Sequence, residues 1–161
     1  MAVSKLAVAF SGVLLTLTAC SQEAEPVDPP AVAQDGLPGV EITDARMILP
    51  AIPGDPAVVY FNLANGSQDT LTIRRIDVEG SGRAELHETA EVNGEMQMGE
   101  AIPFHIEPGD GVSLQPGGRH VMVFDVADDV ASAGQTEVTL TMLGGDKHSF
   151  AVPVRAAGED R

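Results

Sequence analysis

The sequence predicts an all-β domain that folds as an antiparallel β-sandwich or barrel. Short apolar runs rich in β-branched residues follow one another from about residue 40 onward. Turn signals rich in Gly, Pro, Asn and Asp separate these runs about every ten residues. No segment keeps a convincing helical period over three turns. The chain has 161 residues, of which 43 % are apolar, and this fits one domain with a modest core and flanking segments.

Ten segments are the candidate strands: residues 40–49, 57–65, 69–78, 83–92, 95–100, 104–108, 111–115, 119–126, 136–143 and 149–156. Turn signals such as "NGSQD", "VNGE" and "LGGD" separate them. In the ninth segment, "TEVTLTML", apolar residues alternate with threonines, so Met142 is expected to pack in the core. The stretch "VADDVASAG" is compatible with a short helix.

The N-terminus is predicted to be a signal peptide over residues 1–19, with a lysine at position 5 and an apolar run. Its end, "LTAC", resembles the lipobox of bacterial lipoproteins, which implies that Cys20 is lipidated. The alternative is an ordinary signal peptide cleaved just before an incidental cysteine. Lipidation would anchor the protein to the bacterial membrane by acyl chains, on the periplasmic side. Ser21 favours the outer membrane, as in Gram-negative lipoproteins.

Three further segments complete the predicted organisation. Residues 20–38 are acidic and rich in Pro without a period, which indicates a flexible tether. Residues 39–157 form the folded domain, and residues 158–161 form a short C-terminal tail.

Composition excludes several classes of function. A net charge of -15 argues against nucleic acid and against a basic patch for anionic lipid. Aromatic residues make up only 4 % of the chain, so a stacking platform is not expected. Cys20 is the only cysteine, and its lipidation would exclude a disulfide scaffold, a zinc ribbon and a blue-copper site. Neither a G-x-S-x-G elbow nor an HExxH motif is present, and we do not expect an enzyme.

Histidine and methionine are brought together by a predicted hairpin. The "VNGE" turn signal joins the strand that carries His87 to the strand that carries Met98. If Asn-Gly forms the tip, Thr89 faces Met98 and His87 lies opposite Glu100. His87 and Met98 are then diagonal neighbours on one face, within reach of each other.

A second pair lies on another strand, where His120 and Met122 alternate onto one face. With His87 and Met98 they form a neutral set of two nitrogens and two thioethers. Thioether sulfur is a poor ligand for zinc, magnesium or calcium and a good ligand for Cu(I). A neutral ligand set leaves the ion transferable, because no thiolate must be protonated for release.

These four residues resemble the H-x10-M-x21-H-x-M motif of the PCuAC-type periplasmic copper chaperones. Ten residues separate His87 from Met98, twenty-one separate Met98 from His120, and Met122 follows two positions later. The resemblance extends over about residues 40 to 155, including "NGEMQM", "LQPGGRHVM", "TLTM" and "VPV". It implies a cupredoxin-like sandwich that carries Cu(I) on these four ligands. It also implies delivery toward the copper centre of cytochrome c oxidase, with an oxidase subunit or a thiol-bearing copper chaperone as the protein acceptor.

The chain departs from the family in two places. The family often has a methionine soon after its first histidine, but here Glu88 and Thr89 follow His87. Met96 is the candidate auxiliary ligand, since it shares a strand face with Met98; the alternative is that it only packs. The tail "RAAGEDR" has neither His nor Met, so no second copper site is expected there.

The remaining polar candidates have simpler interpretations. His105 and His148 are expected to be ordinary surface histidines. Glu88 and Glu100 are candidates for orienting a ligand histidine, with a solvated edge as the alternative. Arg119 is expected to be a charge at the rim of the site.

Two other functions remain open at this point. The first is copper sequestration for tolerance or acquisition, with the same ligands. The second is a structural or protein-interaction lipoprotein in which the His and Met residues are incidental.

Overall fold

The computed structural model describes residues 36–101 and 103–159. The predicted signal peptide and Cys20 lie outside the described residues, as does the predicted tether apart from residues 36–38. The described part of the chain contains ten strands and one short helix, α1, over Asp128–Ala133. The strands are β1 (Val40–Ile48), β2 (Ala57–Asn65), β3 (Leu71–Val78), β4 (Arg83–Val92), β5 (Glu95–Glu100), β6 (Phe104–Ile106), β7 (Gly111–Leu114), β8 (Arg119–Phe124), β9 (Gln135–Met142) and β10 (Lys147–Arg155).

Each predicted strand segment overlaps one of these strands, and the short helix lies where the sequence allowed it. The differences are at the ends. Strand β8 stops at Phe124 because Asp125 has a φ of 53°, a left-handed conformation that ends the extended run. Strand β10 begins at Lys147, before the predicted start at residue 149, so His148 belongs to the sheet.

The strands pair in the order β5-β4-β8-β7-β2-β1-β10-β9-β3-β6. Within the described residues the β1–β10 and β7–β8 pairs are parallel and the others are antiparallel. Leu86 of β4 and Ile73 of β3 belong to one buried apolar core, although their strands lie near opposite ends of this order. The sheet therefore folds over a shared core, as the predicted sandwich requires.

The hairpin between β4 and β5 has the register that the sequence predicts. Val92 pairs with Glu95, Thr89 with Met98, and His87 with Glu100. The turn residues Asn93 and Gly94 have φ values of 56° and 85°, which suit the tight turn that Asn-Gly favours. All six residues of β5 are exposed, so this strand extends beyond the core.

Two predictions about burial have different outcomes. Met142 is 5 % exposed and belongs to the core, as expected. The prediction of a surface position for His148 is wrong, because its side chain is buried at 4 % exposure. Its Nδ1 accepts a hydrogen bond from the backbone N–H of Leu37 at 3.0 Å. His105 is exposed as expected, with its Nδ1 2.9 Å from Thr72 Oγ1.

Among the described residues, no helix combines the length and the apolar character that crossing a bilayer requires.

Candidate metal centre

Three neighbouring strands, β5, β4 and β8, bring the four predicted ligands to one face of the sheet. His87 of β4 is paired directly with His120 of β8, and Met122 lies one face position further along β8, opposite Glu85. On the other side of β4, Met98 of β5 is diagonal to His87 through the pairing of Met98 with Thr89. The intervening residues Leu86 and Val121 point the opposite way, into the core, with 0 % exposure.

The two histidine rings form the centre of this His/Met face, defined by His87, Met98, His120 and Met122. Their centroids are 6.1 Å apart and the planes are tilted by 44°. His120 is buried at 9 % exposure, and the side chain of His87 is 17 % exposed. The rings are therefore close enough to share an ion and are largely shielded from solvent.

The hydrogen bonds assign a tautomer to each neutral ring. His120 Nδ1 lies 3.0 Å from the carbonyl oxygen of Gly118, which only accepts, so Nδ1–H donates and Nε2 keeps its lone pair. His87 Nε2 lies 3.1 Å from Glu85 Oε2, so Nε2–H donates and Nδ1 keeps its lone pair. Among the described residues, buried His87 Nδ1 has no hydrogen-bond partner. A buried nitrogen without a partner is costly, and a bound cation would remove that cost.

The carboxylate that orients His87 belongs to Glu85, which sequence reasoning missed. Glu85 Oε1 lies 2.9 Å from Arg83 Nη1, while Oε2 contacts His87. The sequence did contain the information needed to find Glu85, because residues 85 and 87 lie on the same face of a strand. Glu88 instead pairs with Arg119 at 2.9 Å, and Glu100 is exposed opposite His87.

Arg119 is more tightly held than a rim charge. Besides its ion pair with Glu88, its guanidinium carbon lies 5.6 Å from the ring centroid of Phe104. It therefore lies on the face of β8 opposite to His120, because successive strand residues alternate, and its side chain is 37 % exposed.

The thioethers differ in their exposure. Met98 is 56 % exposed and Met96, two positions earlier on the same face, is 64 % exposed. Met122 is half-buried. Two large apolar side chains exposed on one short strand are unusual for packing residues, since exposure forfeits their burial energy. Packing therefore does not explain Met96 or Met98.

A site built from hard ligands is not offered by this face. Within residues 36–101 and 103–159, no three His, Cys, Asp or Glu side chains are arranged to hold a metal ion. The thioethers of Met98 and Met122 lie on the same face as His87 and His120 and could complete the coordination of an ion bound by the two rings. Soft, neutral ligands of this kind select Cu(I) over zinc, magnesium or calcium.

A cavity of about 940 Å³ lies elsewhere, lined by residues from 37–40, 66–72 and 142–146. It shares no residue with the His/Met face. Leu143, which is 62 % exposed, belongs to its lining.

Comparisons with solved structures agree with the sandwich. The apo PCuAC domain from PmoF1 matches with a TM-score of 0.61 and 20 % identity, over 76 % of this chain and 98 % of that domain. The solution structure of CuI-DR1885 from Deinococcus radiodurans matches with a TM-score of 0.55 and 22 % identity, over 88 % of this chain and 89 % of that one. The fold is therefore the predicted cupredoxin-like β-sandwich.

Sequence comparisons give the family. "Putative lipoprotein Lxx21020" from Leifsonia xyli subsp. xyli is 28 % identical over 153 residues, covering 92 % of this chain and 88 % of that protein. The model of the family described as "Putative lipoprotein LpqE-like" matches residues 40–154, which contain the whole His/Met face. This chain therefore belongs to the LpqE-like family.

Proposed function

We propose that this protein binds one Cu(I) ion on His87, Met98, His120 and Met122 and passes it to a protein acceptor. The observation that carries the proposal is the direct pairing of His87 with His120, each with one ring nitrogen left free to bind. The similar solved structures include CuI-DR1885 from Deinococcus radiodurans, which supports the same ion. The protein acts as a carrier and not as an enzyme.

The ligand chemistry suits Cu(I) held for transfer. Two neutral imidazoles and two thioethers leave the bound complex with a single positive charge, which limits the cost of shielding it from water. Thioethers need no proton for release, in contrast to thiolates. A thiol-bearing acceptor can therefore replace the ligands one at a time by direct exchange.

The exposures indicate where exchange begins. His120 is 9 % exposed and lies at the inner end of the face, whereas Met98 is 56 % exposed on β5. An acceptor approaching from solvent reaches Met98 first. We propose that Met98 is the first ligand displaced and that the two histidines are the last.

The proposed location is the periplasm, with a lipid anchor at Cys20 and the outer membrane favoured by Ser21. The family and the Leifsonia relative are both named as lipoproteins, which supports the anchor. The proposed recipient is an oxidase subunit or a thiol-bearing copper chaperone on the route to the copper centre of cytochrome c oxidase. The resemblance of the H-x10-M-x21-H-x-M motif supports this route.

The test is anaerobic competition for Cu(I) against a chromophoric chelator. The chain would be produced from residue 20 onward with Cys20→Ser, so that no thiol contributes. We expect one equivalent to be retained by the parent chain and lost by the Met98→Ala, Met122→Ala double variant. Met142→Leu is the matched control, since it alters a buried methionine outside the face. A parent chain that never competes with the chelator would contradict the proposal.

Deleting the gene separates delivery from sequestration. Loss of oxidase activity that added copper restores would support delivery, whereas copper sensitivity would support sequestration. If complementation by a His87→Ala, Met98→Ala variant is complete, the His/Met face is incidental and a protein-interaction role takes precedence. The next variant would then be Leu143→Ser, which alters the cavity lining.

A further inference from the structure

Glu85 occupies a defined place between two partners on the outer face of β4. Its Oε1 is 2.9 Å from Arg83 Nη1 and its Oε2 is 3.1 Å from His87 Nε2. Its side chain is 28 % exposed, so water competes only partly for these oxygens. The Glu85 carboxylate therefore contacts both the guanidinium of Arg83 and a proposed copper ligand, His87.

We infer that Glu85 is the positioning residue for His87, holding its ring so that Nδ1 faces the metal as an unprotonated ligand. The inference rests on the proposed copper site. A carboxylate oxygen can only accept, so it retains the proton on Nε2 and leaves Nδ1 free. The Nδ1 atom is the one that is buried without a hydrogen-bond partner among the described residues.

The two histidines carry their proton on different ring nitrogens, each held there by a different acceptor. The Gly118 carbonyl holds the proton of His120 on Nδ1, and the Glu85 carboxylate holds that of His87 on Nε2. Without the carboxylate, the His87 ring would be free to rotate or to change tautomer. Its binding nitrogen would then have to be reorganised when copper arrives.

Arg83 fixes the carboxylate in turn. Its guanidinium carbon lies 4.1 Å from the ring centroid of Phe124, the residue opposite it on β8. The cross-strand pairs Arg83–Phe124, Glu85–Met122 and His87–His120 follow one another along this face. The arginine occupies one carboxylate oxygen and balances its charge, so Glu85 is directed at His87 and is not offered as a hard ligand.

The first measurement is made on metal-free protein from residue 20 onward with Cys20→Ser. Long-range ¹H–¹⁵N NMR at pH 8 reports which nitrogen of each histidine ring carries the proton. We expect His87 in the Nε2–H form and His120 in the Nδ1–H form. In Glu85→Ala, the Nδ1–H form of His87 should become populated while His120 stays unchanged. Circular dichroism and urea unfolding would show that the variant remains folded.

The second measurement is Cu(I) affinity by chelator competition. Glu85→Ala should bind about ten- to a hundred-fold more weakly, as is typical when a residue behind a metal ligand is removed. Glu85→Gln should recover most of this loss, because its amide oxygen still accepts from Nε2–H. Glu91→Ala is the matched control, since it removes the same charge from the same strand face and should leave the affinity unchanged.

Each outcome has a separate meaning. A parent chain in which metal-free His87 is in the Nδ1–H form would overturn the inference, and so would a Glu85→Ala affinity equal to or above that of Glu91→Ala. A parent chain that binds no Cu(I) would overturn the copper site, and with it the role of Glu85 toward copper. Intact binding with an unaltered His87 tautomer in Glu85→Ala would overturn the role of Glu85 alone.

Discussion

His87 and His120 lie directly opposite each other on β4 and β8, with ring centroids 6.1 Å apart. This relationship connects two segments of the chain that contribute one histidine and one methionine each. The hairpin turn places Met98 beside His87, and strand alternation places Met122 beside His120. The pairing of β4 with β8 therefore brings the His87–Met98 pair and the His120–Met122 pair together into one four-residue site.

Met98 and Met96 form a matched pair for testing which thioether binds. Both are exposed on the same face of β5, at 56 % and 64 %, but only Met98 is diagonal to His87. We expect Met98→Ala to weaken Cu(I) binding by at least about tenfold, equivalent to about 1.4 kcal/mol. Met96→Ala should change it by less than about threefold if Met96 contributes only as an auxiliary ligand.

Chelator competition and stopped-flow release would be measured on both methionine variants. Copper should dissociate faster from Met98→Ala than from the parent chain, since the ligand that we propose is displaced first is already absent. Equal losses of affinity in the two variants would assign Met96 a full ligand role. A loss confined to Met96→Ala would show that the register prediction selects the wrong sulfur.

Metal binding should protect particular methionines from oxidation. Ag(I) is a redox-inert substitute for Cu(I), so peroxide can be applied to the loaded protein without copper chemistry. A thioether that donates one sulfur lone pair to a metal ion keeps a second lone pair that is less nucleophilic and less accessible, so its oxidation to the sulfoxide is slowed. We expect Ag(I) to protect Met98 and Met122 strongly and Met96 weakly.

Peptide mass spectrometry would locate the added oxygen. Buried Met47 and Met142, at 0 % and 5 % exposure, should react slowly with or without Ag(I) and serve as internal controls. Protection of every exposed methionine to the same degree would indicate general shielding and not ligation. No protection at Met98 would argue against its role as a ligand.

The extent of sequence-based prediction follows from how local each feature is. The β4–β5 register could be predicted, because an Asn-Gly turn fixes the pairing of the two residues that flank it. Each further pair then follows by moving one residue outward on both strands. The pairing of β4 with β8 could not, because the choice of a neighbouring strand depends on the whole sheet. The burial of His148 was missed for the same reason: its partner Leu37 is 111 residues away. The role of Glu85 could have been predicted locally, since residues two apart on a strand share a face and Glu85 lies two residues before His87.

His148 should make the metal-free protein less stable as the pH falls. Burial lowers the pKa of its imidazole from the usual 6.5, and its Nδ1 accepts a hydrogen bond from Leu37 N–H. The unfolded chain therefore takes up a proton near pH 6.5 that the folded chain resists. The stabilising contribution is fully present above pH 6.5 and is lost as the pH falls toward the lowered pKa of the folded state.

The measurement is urea unfolding at pH 7.5 and pH 5.0 in the parent chain and in His148→Phe. Phe suits a ring that already lies 6.2 Å from Phe150, and it cannot titrate. We expect a smaller decrease in the free energy of unfolding for His148→Phe than for the parent. The exposed His105→Phe variant should behave as the parent does. An equal pH dependence in all three proteins would contradict the role of His148.

The β4–β5 turn should control copper affinity without touching a ligand. Gly94 has a φ of +85° and open space around it, so a β-branched side chain there is strained by backbone conformation alone. Gly94→Val should cost about 1–2 kcal/mol locally. Because β5 is exposed and carries Met98, the strain should fray the hairpin and displace the thioether while the core remains folded.

Gly109 provides a close control, since it also has a φ of +85° with nothing near its missing Cβ. It lies in the turn between β6 and β7, away from the ligands in sequence. Chelator competition should show weaker Cu(I) binding in Gly94→Val and parent-like binding in Gly109→Val. Equal affinity in both would mean that Met98 reaches the histidines whatever the turn conformation. The turn conformation would then have no control over copper affinity, which would contradict this prediction without removing Met98 from the ligand set.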